Sequence, residues 1–180
     1  MERSLSHIAL FAALIAVLGL VPPIMLMSGV PITAQSLGIM LCGTVLGSRR
    51  GGLAVLMFLA LVAVGLPVLS GGRGGLGVFA GPSVGFLIGF PVAACVAGLV
   101  VEHWRAPVGL AAGVGAFLGG IVVLYAFGIP GMALMLDKPL AEATLLITPF
   151  LVGDAIKVVL AGMLTQAIAR MRPGSLLSRA

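Results

Sequence analysis

The sequence predicts an all-α integral membrane protein, a compact bundle of six transmembrane helices with both termini cytoplasmic, and three observations lead there. Of 180 residues, 61% are hydrophobic and only 8% charged, against roughly 25% charged in an average soluble domain. The runs between charged clusters approach the roughly 20 residues that cross a bilayer core. With six spans, Arg3, Arg49, Arg50, Arg105, Arg170, Arg172 and Arg179 fall on one side and only Arg73 and Lys138 on the other. That asymmetry marks the arginine-rich side as cytoplasmic. A net charge of +5 would suggest nucleic-acid binding in a soluble chain, but here the basic residues sit at span ends, so topology accounts for them. The expected setting is the cytoplasmic (inner) membrane, crossed several times by a single domain covering residues 1–180.

Hydrophobic runs read against breakers and charges give helices over approximately 5–22, 35–48, 51–67, 83–102, 107–127 and 149–170. The first follows Arg3 as a signal peptide would, but Pro22-Pro23-Ile24-Met25 occupies the place of a small-residue cleavage site, so it is read as an uncleaved span. The second is short. Tight cytoplasmic turns, Gly47–Gly52 and Glu102–Pro107, contrast with longer outer segments at 23–34, 68–82 and 128–148, where function is expected. Gly-x-Pro steps mark the outer segments at Pro31, Pro67 and Pro130, and a fourth, ending at Pro91, predicts a kink inside helix four.

Glycines four residues apart, Gly43/Gly47, Gly85/Gly89, Gly109/Gly113 and Gly115/Gly119, suit close helix approach in lipid. Ala9/Ala13 and Ala12/Ala16 repeat the spacing in helix one, where they serve either internal packing or a partner's helix. Cys42 and Cys95 have no second cysteine or histidine at ligand spacing and read as small core residues. No metal or cofactor is expected.

Asp154 and Lys157 are the only ionisable residues interrupting a long apolar stretch, Phe150 to Met163. Charges at membrane depth cost about 2.5–3.5 kcal/mol each on insertion scales, so they face a bundle interior or cavity and mark ligand pathways. At i, i+3 they share a helix face. They serve either as an internal salt bridge or as a receptor for a group that both donates and accepts hydrogen bonds. Gly71–Gly77 contains a literal G-x-G-x-x-G, but without a preceding strand or a later acidic residue in reach it is a flexible loop rather than a nucleotide site. Arg73 within it is either a clamp for a carboxylate or a solvated charge. Thr33, Gln35 and Ser36 stand at the mouth of helix two, as pocket donors or helix caps. Phe79 and Phe86 flank the glycine loop and suit either stacking on a flat ligand or packing. Trp104 reads as an interfacial anchor.

Val30-Pro-Ile-Thr-Ala-Gln-Ser-Leu-Gly38, Leu46-Gly-Ser-Arg-Arg-Gly51, Gly65-Leu-Pro-Val68, Gly71-Gly-Arg-Gly-Gly-Leu-Gly77, Gly81-Pro-Ser-Val-Gly-Phe86 and Gly153-Asp-Ala-Ile-Lys157 occur in this order. In them the chain closely resembles the BioY family, biotin-specific substrate-binding (S) components of energy-coupling factor (ECF) transporters. The resemblance implies an outward-facing biotin pocket with Asp154 and Lys157 at the head group and a loop around Arg73, Gly74 and Gly75 closing over the ligand. Further contacts are expected from Gln35, Thr33, Phe79, Ser83 and Phe86. It also implies that Ala9, Ala13 and Ala16 dock on a coupling membrane protein driven by ABC-type ATPase subunits; a homo-oligomer is left open. In two places this chain departs from the family pattern: Phe86 stands where tyrosine is frequent, and Arg73 replaces a small residue. No G-x-x-x-x-G-K-[ST] phosphate loop is present, so any ATP hydrolysis belongs to partners. The rival expectations are an S component for another small vitamin and an intramembrane enzyme using Asp154.

Overall fold

The computed structural model describes residues 2–26 and 28–179, and among them six helices carry the fold. These are α1 (Glu2–Leu18), α2 (Gln35–Leu46), α3 (Ser48–Val64), α4 (Val84–His103), α5 (Val108–Leu136) and α6 (Leu140–Met171). By length and composition α4, α5 and α6 can cross a membrane. At 12 residues, α2 is only about 18 Å long at 1.5 Å per residue. It is buried on nearly every side, from Gln35 to Leu46, as expected for a helix apolar all round and enclosed by protein. The outer helices instead expose large apolar side chains, among them Leu53, Val64, Leu134, Leu145 and Val152.

α4 lies at the centre, packed against α2, α3 and α5. Small residues make this possible: a Cβ on Gly43 would strike the Ala94 carbonyl, and one on Gly85 would strike the Phe127 carbonyl. Gly113 differs, with nothing within 4 Å of an added Cβ. Pro91 lies inside α4 where the sequence places it, and Cys42 is fully buried in the core.

The break between α2 and α3 is a single residue, Gly47, at φ 88°. Arginines at the start of a helix oppose its dipole, and Glu102 offsets Arg49 and Arg50 there. Its carboxylate accepts the Ser48 backbone N–H at 2.8 Å and the Ser48 hydroxyl at 2.7 Å. This ties the two tight turns together. The C-terminal segment joins the same end: Arg179 Nη2 donates to the carbonyls of Trp104 (2.7 Å) and Ala106 (3.0 Å), and Ser178 Oγ donates to the Thr44 carbonyl (2.7 Å).

The third outer segment expected at 128–148 is a correction. α5 continues to Leu136 and α6 begins at Leu140, which leaves residues 137–139 as the connection. Pro130, read as marking an outer segment, and Pro149, where the sixth helix was expected to begin, both sit inside the helices, a placement apolar spans tolerate because neighbouring helices and local adjustments satisfy the released carbonyl. Before Pro130, α5 also contains a π-helical stretch over Leu118–Val123. The chain turns instead at Asp137, in the left-handed conformation (φ 51°) that aspartate tolerates, followed by Pro139.

Candidate binding site

The N-terminal end of α2, the loop after α3, α4, α5 and α6 together line a cavity that opens on one side. Its lining is mostly apolar: Val30, Pro31, Leu69, Leu87, Phe90 and Leu124, with Phe86 and Phe150 stacked at 6.1 Å between ring centroids and 12° between planes. A few polar groups converge within this apolar wall, the arrangement of a small-molecule pocket.

Asp154 and Lys157 form the polar centre. Lys157 Nζ donates to Asp154 Oδ1 at 2.8 Å and to Ser36 Oγ at 2.9 Å. Ser36 Oγ lies 3.4 Å from the same carboxylate oxygen, and Tyr125 donates its hydroxyl to Asp154 Oδ2 at 2.7 Å. The side chains of Asp154 and Lys157 are only 4% and 12% exposed. Buried charges must be paired and hydrogen-bonded, and here each carboxylate oxygen has a partner. An ammonium has three donors, so Lys157 keeps one beyond these two bonds.

Of the residues singled out in the sequence, Asp154, Lys157, Arg73, Gln35, Thr33, Ser83 and Phe86 all line this cavity. Arg73 and Ser83 also border a more open vestibule, which Gly74 lines with them. Gly75 and Phe79 line neither: the Gly75 N–H bonds the Val62 carbonyl at 2.7 Å, and Phe79 is half-buried in a 3₁₀ turn, Leu76–Ala80, packed on the core. The glycine loop folds back on itself, with Leu69 and Arg73 paired as an isolated antiparallel bridge and Gly71 and Gly72 at φ 79° and 70°. Arg73 Nε donates to the Ser70 carbonyl at 3.2 Å, which steadies it between vestibule and cavity.

Gln35 holds this loop. Its Nε2 donates to the carbonyls of Ile15 and Val68, both at 3.1 Å, and its Oε1 accepts the Ser70 N–H at 2.9 Å. Thr33 Oγ1 accepts the Gln35 N–H at 3.3 Å, but the N-cap position of α2 is Ala34, without a side-chain cap, so the cap role weighed for Thr33 is not the one it fills. Sequence reading missed Tyr125, Phe150 and Phe90. A signal for the first was available, since the chain's one tyrosine in an apolar helix must find its hydroxyl a partner. Among the helix-one alanines, Ala9 and Ala13 are exposed and Ala16 half-buried, whereas Ala12 is core.

Comparison with known proteins finds relatives along almost the whole chain. The chain is 57% identical to the biotin transporter BioY of Rhodobacter capsulatus across 99% of its own length and 100% of the relative's. It is 51% identical to the biotin transporter BioY of Rhizobium etli, covering 92% of each chain. Its fold matches a crystal structure of the S-component for biotin from an ECF-type ABC transporter, with a TM-score of 0.89, 29% identity and coverage of 94% and 92%. These relatives are transporters, not enzymes. The BioY family model matches residues 2–174, and the chain belongs to the BioY family.

Proposed function

We propose that this chain binds biotin in the cavity between α2, α4 and α6 and mediates its uptake as the S component of an ECF-type transporter. The observation that carries the reading is the buried Asp154–Lys157–Ser36 cluster in a pocket whose wall is mostly apolar and aromatic. A cyclic urea offers N–H donors to a carboxylate and a carbonyl to an ammonium, and both are presented here 2.8 Å apart. Phe86 and Phe150 supply flat apolar surface for the fused rings, and Thr33, Ser83 and the loop carrying Gly74 and Gly75 border the ligand. Arg73, at the junction of cavity and vestibule, takes the valerate carboxylate. Gln35 contributes by fixing the loop, since its amide is bonded to backbone, and Phe79 by packing beneath it.

Uptake is driven by a coupling membrane protein with ABC-type ATPase subunits, on which the exposed Ala9/Ala13 face, with Ala16, docks. The chain sits in the cytoplasmic membrane, crosses it several times and keeps both termini inside. That orientation follows the end where Arg49, Arg50, Arg105 and Arg179 gather around the tight turns.

The test is equilibrium binding of radiolabelled biotin to the purified protein in nanodiscs, beside an Asp154→Asn, Lys157→Ala double variant. Tight binding that disappears in the variant supports ligand and site together. No binding by folded wild-type protein would sink the assignment.

A further inference from the structure

Tyr125 is the chain's one tyrosine, it is 9% exposed, and it does not line the cavity. Its hydroxyl reaches Asp154 from behind, donating to Oδ2 at 2.7 Å, while Oδ1 bonds Lys157 and lies beside Ser36. The two carboxylate oxygens are thereby distinguished, one anchored in the protein and one belonging to the cluster at the cavity. We infer that Tyr125 is a positioning residue for ligand recognition, which fixes the plane of the Asp154 carboxylate so that Asp154 and Lys157 meet the ligand in one set arrangement.

The backbone supports the same reading. Tyr125 lies two residues beyond the π-helical stretch Leu118–Val123 of α5. Here Gly120 lies where a Cβ would strike the Met40 side chain of α2, and Gly119 where one would strike the Ala93 carbonyl of α4. π-Bulges carry one extra residue and cluster at functional sites. One residue more or less turns everything downstream by about 100° around the axis of a helix with 3.6 residues per turn. The bulge therefore sets which way Tyr125 faces, and it faces Asp154 on α6.

The inference rests on the biotin reading above, and its test separates the two. Biotin binding is measured on the full-length protein in nanodiscs as wild type, as Tyr125→Phe, and as protein made with 3-fluorotyrosine. The fluorine label reports on Tyr125 alone and makes its hydroxyl a stronger donor without removing it. Losing the hydroxyl leaves a buried acceptor without its bond, so Tyr125→Phe is expected to bind biotin roughly tenfold more weakly. Fluorotyrosine protein should match or exceed wild-type affinity, and saturating biotin should shift its fluorine resonance. A Tyr125→Phe affinity within twofold of wild type overturns the inference while leaving the biotin reading intact. So does a fluorine resonance deaf to biotin, the outcome for a tyrosine that only fills space, and that readout decides alone where Tyr125→Phe fails to fold. Wild-type protein that binds no biotin overturns both.

Discussion

Asp154 is 3% exposed in an apolar interior, where Lys157 and Tyr125 bond its two carboxylate oxygens and Ser36 lies beside it. Removing one partner of a buried ion pair costs about 3–5 kcal/mol, whereas replacing both with neutral groups often costs little. Lys157→Ala alone is therefore expected to lower the unfolding temperature more than Asp154→Asn with Lys157→Ala does, although both lose ligand binding; thermal unfolding in detergent checks the order. Gln35 makes a second case. Glutamate there keeps the acceptor for Ser70 N–H but turns two donors toward carbonyls into acceptors. Gln35→Glu should destabilise the fold by about 2 kcal/mol and weaken ligand binding by releasing the Val68–Ser70 segment, measured by the same unfolding scan and by biotin titration. The ion pair was legible in the sequence because two charges in an apolar helix have few stable placements. Phe150 was not, because a phenyl in such a helix looks like packing; for Tyr125 the sequence shows that a buried hydroxyl needs a partner, but only folding supplies Asp154, 29 residues away in sequence.

Helix starts and stops divide between those set by local chemistry and those set by the surrounding bundle. α2, α3 and α4 begin within three residues of the positions read from the sequence, because Gly47 and the Ser83 region act locally. The α5–α6 connection was misread, because proline ends helices in water by exposing an unsatisfied carbonyl, and a bundle of apolar helices removes that penalty through its neighbours. Amide hydrogen exchange should accordingly find residues 128–136 and 140–148 protected like the spans they extend, with rapid exchange confined to 137–139; exchange throughout 128–148 would restore the loop. The turn itself carries a second prediction. Asp137 holds φ 51°, which glycine adopts without a Cβ penalty. Asp137→Gly is expected to stabilise the protein by up to about 1 kcal/mol, read as a rise in unfolding temperature.

At the scale of the whole molecule, the polar resources are divided between two ends. One end carries the cavity; the other is fastened by Glu102, Arg50, Ser178 and Arg179 across the two tight turns and the C-terminal segment. Bonds of that kind favour a body that moves as a unit, and such a body needs a surface on which a partner can act. The Ala9/Ala13 face fits this role. In lipid, helices associate through close backbone approach over small residues rather than through a hydrophobic drive, and these two alanines are exposed where the neighbouring Phe11, Ala12 and Ile15 are buried. Filling such a contact costs about 1–3 kcal/mol, roughly 5- to 150-fold in association. Ala13→Leu should therefore leave biotin binding by the isolated protein unchanged and the fold intact, since its side chain points away from the core. In cells that hold the coupling protein and its ATPases, it should cut biotin uptake by at least fivefold. Equal uptake by variant and wild type would move the docking surface elsewhere on the bundle, with the exposed apolar face of α3 around Leu53, Leu56 and Met57 the next to be substituted.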